Sequence, residues 1–369
     1  MKIQDITSLL EKIAPGILQE NYDNAGLITG NANWDCSGAI TCLDATEAVV
    51  LEAIEKKCNL IIAHHPIIFK GLKKITGNNY VEKTIITALK NDIAIYASHT
   101  NLDNMIEGVN GKIADKIGLK NRRILLPKDG YLQKLSVFVP KDHKQKLTEA
   151  LFEAGAGHIG NYSDCSFEVE GIGSFKALEG AQPYIGDIGK RHLENEVKIE
   201  VIFPVWLQQK ILSAMKLAHP YEEVAHDIYP LANTYSMIGS GLTGELEKPV
   251  SATEMLQQLR DIFKIPVIKH TGFTGKMIKK LAVCGGAGSF LTKAAMQAGA
   301  DMYITSDIKY HEFFDAEDKI LLADIGHYES EQFTIELLFD ILRENFPNFA
   351  VLKTGVNTNP VHYFEGKAE

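Results

Sequence analysis

The chain is short of several things, and each shortage closes off a class of protein. It has only five cysteines in 369 residues. Cys36, Cys42, Cys58, Cys165 and Cys284 are odd in number, scattered, and form no CxxC pair. That argues against a disulfide framework or a thiolate zinc site and fits a reducing, cytoplasmic setting. No apolar run approaches the roughly 18 residues of a membrane span. The opening stretch MKIQDITSLLEKIAPG reads as an amphipathic helix with acidic residues, without the apolar core of a secretory signal. Positive charge is in deficit: 38 Lys plus Arg against 47 Asp plus Glu give a formal net charge of −9. Non-specific nucleic-acid binding rests on basic patches, so a nucleic-acid partner is not expected, while a local basic pocket for a nucleotide stays compatible. The glycine-rich run CGGAGSF (284–290) falls short of a full GxGxxG or Walker A pattern.

What is present is an ordinary globular composition, 45% hydrophobic and 23% charged, in a length that suggests two or three domains. The first third alternates strand and helix. GAITCLD (38–44), NLIIA (59–63) and IAIYAS (93–98) read as buried strands, with helices over 46–57, 79–92 and 109–119. The last third repeats the pattern. Strands are expected at 279–285, 301–306, 319–325 and 350–354, helices at 289–299 and 307–316, and one long helix at 327–345. Such alternation predicts an α/β class with a mainly parallel-sheet core. The middle differs. After a linker-like LPKDG (126–130), strand, helix and strand occur twice, a ferredoxin-like α+β plan. The expected domains are a first core lobe over 1–125, an inserted domain over 126–234 and a second core lobe over 235–369, with Ser251 and Glu254 opening a helix as a capping box.

In an open α/β sheet, ligands sit beyond the carboxyl ends of the strands. The residues there are His64 and His65 after NLIIA, then His99 and Asp103 after IAIYAS. Asp307 and His311 follow DMYITS, and His327 and Glu331 follow KILLADI. His327 and Glu331 are four apart on a helix and project from one face, the spacing of helical metal motifs. Adjacent strand residues point to opposite faces, so His64 and His65 do not easily share one ion. At a strand end turning into Pro66, both can face one cavity, each with its own ion. Two ions roughly 3.5–4 Å apart, bridged by a carboxylate from Asp103 or Glu331, satisfy that geometry. Five ligands for two ions leave open positions for water, the mark of a catalytic site and a source of hydroxide near neutral pH. The competing view is a helix cap plus a hydrogen-bonded core histidine.

His99 and His311 are weaker candidates, for proton transfer, for substrate binding or for a structural role. CGGAGSF (284–290) could cradle a phosphate at a helix start or simply be a tight turn. Asp23 and Asp44 could line the cavity or serve turns and caps.

Taken together, DNAGL, LDAT, AHHP, SHTNLD, GGAGS, TSDIKYHEF and GHYESE, in that order over 1–125 and 235–369, resemble the NIF-three-like dinuclear-metal proteins, often labelled GTP cyclohydrolase 1 type 2 homologs. The resemblance places metal ligands on His64, His65, Asp103, His327 and Glu331. It implies ring-like homohexamers whose metal sites face an internal cavity. The insert, with AHPYEEVAHDIYPL, is similar to CutA-like or PII-like domains. The expected function is a metal-dependent hydrolase of a nucleotide or phosphoester, working by metal-bound hydroxide, with two divalent ions drawn from Zn, Mn, Fe, Co or Ni. The alternative is a non-enzymatic metal- or ligand-sensing protein.

Overall fold

The computed structural model describes residues 1–364. The chain divides into two units. Met1–Pro127 joins the chain from Met237 onward in one, and Lys128–Ser236 forms the other. No helix among the described residues is long and apolar enough to cross a membrane.

The first unit opens with α1 (Ile3–Ile13), β1 (Gly26–Thr29), β2 (Ala39–Asp44), α2 (Glu47–Glu55), β3 (Leu60–His65) and α3 (Tyr80–Lys90). It continues through β4 (Ala94–Ala97), α4 (Thr100–Asp103), α5 (Val109–Ile117) and β5 (Lys120–Lys128). The second unit holds β6 (Leu132–Pro140), α6 (Lys144–Glu153), β7 (Phe167–Lys176), β8 (Arg191–Pro204), α7 (Gln208–Ala218) and β9 (His226–Pro230). The first unit resumes with β10 (Tyr235–Val250, its first residues still in the second unit), α8 (Ala252–Phe263), β11 (Lys269–His270) and β12 (Ile278–Ala287). Then come α9 (Thr292–Gln297), β13 (Met302–Ser306), β14 (Leu321–Asp324), α10 (His327–Glu331), α11 (Thr334–Asn345) and β15 (Val351–Lys353).

The fold is mixed α/β. The first unit has a five-stranded sheet, β1-β4-β3-β2-β15, and a six-stranded one, β11-β14-β13-β12-β10-β5. β15, β2, β3 and β4 run parallel, as do β12, β13 and β14. Side chains alternate along a strand, and here the alternation divides two cores. Leu60 and Ile62 of β3 face a core shared with Leu281, Val283, Met302 and Ile304 of the other sheet and with Ile113, Leu259 and Leu338 of α5, α8 and α11. Ile61 and Ala63 face a separate cluster with α2 and α3, around Val50 and Ile85. Continued two residues on, this alternation turns His64 toward the shared core and His65 away from it.

In the second unit the order is β7-β8-β6-β9, with antiparallel pairs throughout. Val197, Ile199, Val201 and Phe203 alternate inward against Leu147, Leu151, Ile211 and Met215 of α6 and α7.

Three local expectations need revision. Residues 126–128 of the supposed linker belong to β5, a strand in which only Ile124 and Leu125 are buried, between the polar run 120–123 and an exposed Leu126. Residues 310–316 form a 3-10 helix rather than an α-helix. The helix expected over 327–345 is broken after Glu331. The Gln332 side-chain amide donates to the Glu329 carbonyl at 2.9 Å, the acceptor that Phe333 N–H would use in a continuous helix. At α8, the Ser251 hydroxyl accepts from Glu254 N–H at 3.2 Å.

Candidate metal centre

The carboxyl ends of β2, β3, β4, β13 and β14 deliver the polar groups. β3 carries both histidines within the strand, two residues beyond the expected end at Ala63, and the chain leaves the strand at Pro66 as expected. Their rings lie 4.9 Å apart. Each has one nitrogen tied to its own side. His64 Nδ1 lies 2.8 Å from the Ser98 carbonyl oxygen. His65 Nδ1 lies 2.8 Å from Asp44 Oδ1 at the end of β2. His327, at the start of α10, has Nδ1 2.7 Å from Asp307 Oδ2, just past β13. His99 has Nδ1 2.7 Å from Asp23 Oδ1. Four imidazoles thus have Nδ1 occupied. An occupied Nδ1 fixes tautomer and ring orientation and frees Nε2 for a ligand, as is usual for metal-binding histidines.

Glu331 is the hub. It is 3% exposed. Its Oε2 lies 3.0 Å from His65 Nε2 and 3.1 Å from His327 Nε2, while Oε1 lies 3.8 Å from His64 Nε2. Asp103 Oδ1 is 3.5 Å from His64 Nε2. These last two separations are too long for hydrogen bonds, and His64 Nε2 and Asp103 Oδ1 are buried without a partner. Two ligands of one tetrahedral ion, each about 2.0–2.2 Å from it, stand roughly 3.3–3.5 Å apart. The orphaned pair fits that spacing. Donor atoms of His64, His65 and His99, and separately those of His65, His327 and Glu331, also lie close enough together to share an ion. The residues therefore fit divalent metal.

The charges of the cluster hold one another. Burial opposes charge on His65, but Asp44 and Glu331 outweigh it and raise its pKa to about 10. Burial likewise opposes charge on His327, yet Glu331 and Asp307 bring it to about 9. Burial favours the neutral form of Glu331 too, but its three imidazoles keep its carboxyl well below the ordinary value. Asp103 moves the other way, pushed up chiefly by burial and further by Glu331, against the pull of His64. Asp23, though half-buried, is lowered to about 2 by His99 and Thr100.

The Gly-rich run has a different use from a phosphate cradle. β12 extends through Ala287, and the Gly286 N–H donates to Ser330 Oγ while Gly285 N–H donates to Asn110 Oδ1, both at 3.0 Å. Those amides are spent inside the protein. Gly286 adopts φ +64°, and a Cβ there would lie 2.3 Å from Glu331 Oε1. The glycine exists so that Glu331 can lie against the strand.

The structure thus gathers His64, His65, Asp103, His327, Glu331 and His99. It does not bring in His311, which is exposed on the 3-10 helix between the rings of Tyr310 and Phe314. Sequence reasoning left the roles of Asp44, Asp23 and Asp307 open. Asp44 and Asp307 both directly follow strand residues, which was a usable signal, whereas Asp23 lies in a loop with no such mark. Three cavities of about 550, 500 and 230 Å³ adjoin the cluster. The first reaches Tyr328 and Tyr363, the second Phe69 and Tyr80, the third Tyr22 and Phe290.

Comparison with known proteins gives a consistent picture. The family profile of Duf34/NIF3 (NGG1p interacting factor 3) matches residues 1–360. A curated protein of Bacillus subtilis named GTP cyclohydrolase 1 type 2 homolog is 41% identical over 327 residues, 88% of each chain. One of the same name from Halalkalibacterium halodurans is 40% identical over 362 residues, 97% of each. A crystal structure of a Bacillus cereus protein related to NIF3 superposes with a TM-score of 0.88 at 36% identity, covering 99% of both chains.

Proposed function

The chain belongs to the Duf34/NIF3 family, and from that premise we propose that it is a dinuclear metal protein that hydrolyses a nucleotide or phosphoester. The observation that carries the proposal is the convergence of imidazoles with tethered Nδ1 atoms on one buried carboxylate, with His64 Nε2 and Asp103 Oδ1 left unpartnered. His64, His65, Asp103, His327 and Glu331 would hold two ions. Mixed nitrogen and oxygen donors suit Zn, Mn, Fe, Co or Ni. Bound there, such ions supply Lewis-acid polarisation and a water of lowered pKa.

The chain's own groups do the rest. Ser98, Asp44 and Asp307 fix three rings. Asp23 accepts from His99 Nδ1–H, which leaves His99 Nε2 to take and return a proton beside the ligand atoms. Glu331, held ionised, sets the negative charge that divalent cations require. The adjoining cavities leave room for a substrate of nucleotide size. GTP, opened at its imidazole-ring carbon, is the first candidate because the curated relatives carry that name.

Ring-like homohexamers in the cytoplasm complete this reading. So does a ferredoxin-like, CutA- or PII-like role for the second unit, supported by its two strand-helix-strand repeats and the order β7-β8-β6-β9. That unit's separate core also favours a second reading, in which the protein senses a ligand and catalyses nothing. Turnover of GTP and a phosphoester panel by metal-loaded protein separates the two. Hydrolysis that is lost in Glu331→Ala supports the enzyme. Full metal content with no turnover of any substrate favours the sensor.

A further inference from the structure

Beyond the ligands, the segment that follows β15 makes two bonds to different parts of the site. Thr354 N–H donates to the Thr41 carbonyl at 2.9 Å, continuing the pairing of β15 with β2, and Gly355 N–H donates to Glu52 at 2.8 Å. The chain then crosses the site without regular structure. The Thr358 hydroxyl donates to Asp44 Oδ2 at 2.7 Å, while Asp44 Oδ1 holds His65 Nδ1. The next residue, Asn359, donates from Nδ2 to Glu329 Oε1 at 2.9 Å. Glu329 lies in α10 between His327 and Glu331 and is 8% exposed. Asp44 belongs to the five-stranded sheet, whereas α10 follows the last parallel strand of the six-stranded one.

We infer that residues 358 and 359 are positioning residues for the metal centre, a strap that ties the His65 half of the site to the His327–Glu331 half. The inference rests on the metal-binding reading. Asp44 can rotate about its side-chain bonds. With one oxygen on His65, its other oxygen needs a partner to fix the carboxylate plane, and Thr358 supplies it. The same segment lines the cavity of about 550 Å³, through Asn359, Pro360, Val361 and Tyr363, together with His65 and His327. A bond removed at Thr358 is therefore felt at His65 Nε2, two hydrogen bonds away. Losing such an outer partner typically costs 10- to 100-fold in metal affinity.

The test is competition for zinc between a chromophoric chelator and full-length wild type, Thr358→Val and Thr358→Ser. Thermal unfolding of each metal-free protein is followed alongside. Valine keeps the shape and removes the donor, and serine restores the hydroxyl. The expected result is a 10- to 100-fold weaker zinc site in Thr358→Val, recovery in Thr358→Ser, and similar unfolding midpoints without metal. Wild-type affinity in Thr358→Val overturns the inference alone, as does a Thr358→Ser variant as weak as the valine. A wild type that takes up no zinc overturns the metal-binding reading and this inference with it.

Discussion

Gly286 and Glu331 lie so close that a single methyl group at position 286 would sit 2.3 Å from Glu331 Oε1. The left-handed backbone at 286 adds a second reason for glycine, since an L side chain there costs about 1–3 kcal/mol. Gly286→Ala should therefore lower stability by about that amount and push the carboxylate away from His65 and His327. Chemical denaturation gives the first effect. Metal content after equilibrium dialysis gives the second, and an alanine variant that retains full metal would speak against Glu331 as the hub.

The proton role assigned to His99 separates from a ligand role by a simple comparison. His99→Gln should cut turnover on whichever substrate the panel identifies by about 10²–10³, in the range of lost acid–base catalysis. Metal per chain should stay at the wild-type level. If metal falls in step with turnover, His99 is a ligand and the proposed division of labour is wrong.

Acid sensitivity has an identifiable contributor away from the metal. Glu82 accepts from Thr76 N–H and Asn78 N–H and from the side chains of Thr76 and Asn79, at 2.8–3.1 Å. Those bonds to the charged form, the Thr76 N–H foremost, hold its pKa down at about 2 against 4.5 in the unfolded chain. The stability it contributes is complete above pH 4.5 and is lost as the pH falls toward 2. Denaturant midpoints for wild type and Glu82→Gln should differ at pH 6 and converge only at about pH 2. A constant gap across that range would show that the carboxylate charge is not the cause.

The second unit should be dispensable for metal. Leu126 and Gly239 lie side by side, a Cβ at 239 falling 2.2 Å from the Leu126 carbonyl oxygen, so a short turn can rejoin the chain after Lys128–Ser236 is removed. The shortened protein should bind as much metal as the full chain, measured by the same dialysis. Loss of metal despite a folded circular-dichroism spectrum would mean that the second unit takes part in the site.

Much of the candidate site was legible in the sequence because its signals are local. Apolar runs marked the strands, the histidines sat at their ends, and His327 and Glu331 kept helical spacing. What stayed hidden depends on contacts between distant parts of the chain. β5 is a polar strand with two buried residues, so periodicity barely marks it. β15 pairs with β2 across some three hundred residues of sequence, which no local pattern encodes. The same pairing brings Thr358 to Asp44, and Asp23 reaches His99 from a loop. The GGAG run was ambiguous because phosphate cradles and close backbone approaches both call for glycine. Only the position of Glu331 distinguishes them.

The central claim is that Glu331 joins two ions held by His64, His65, Asp103 and His327. Elemental analysis of wild type and Glu331→Ala, both purified without added metal or chelator, tests it most directly. The account predicts close to two ions per wild-type chain and a clear fall in the variant. Near zero or one ion in the wild type, unchanged by the substitution, would contradict it.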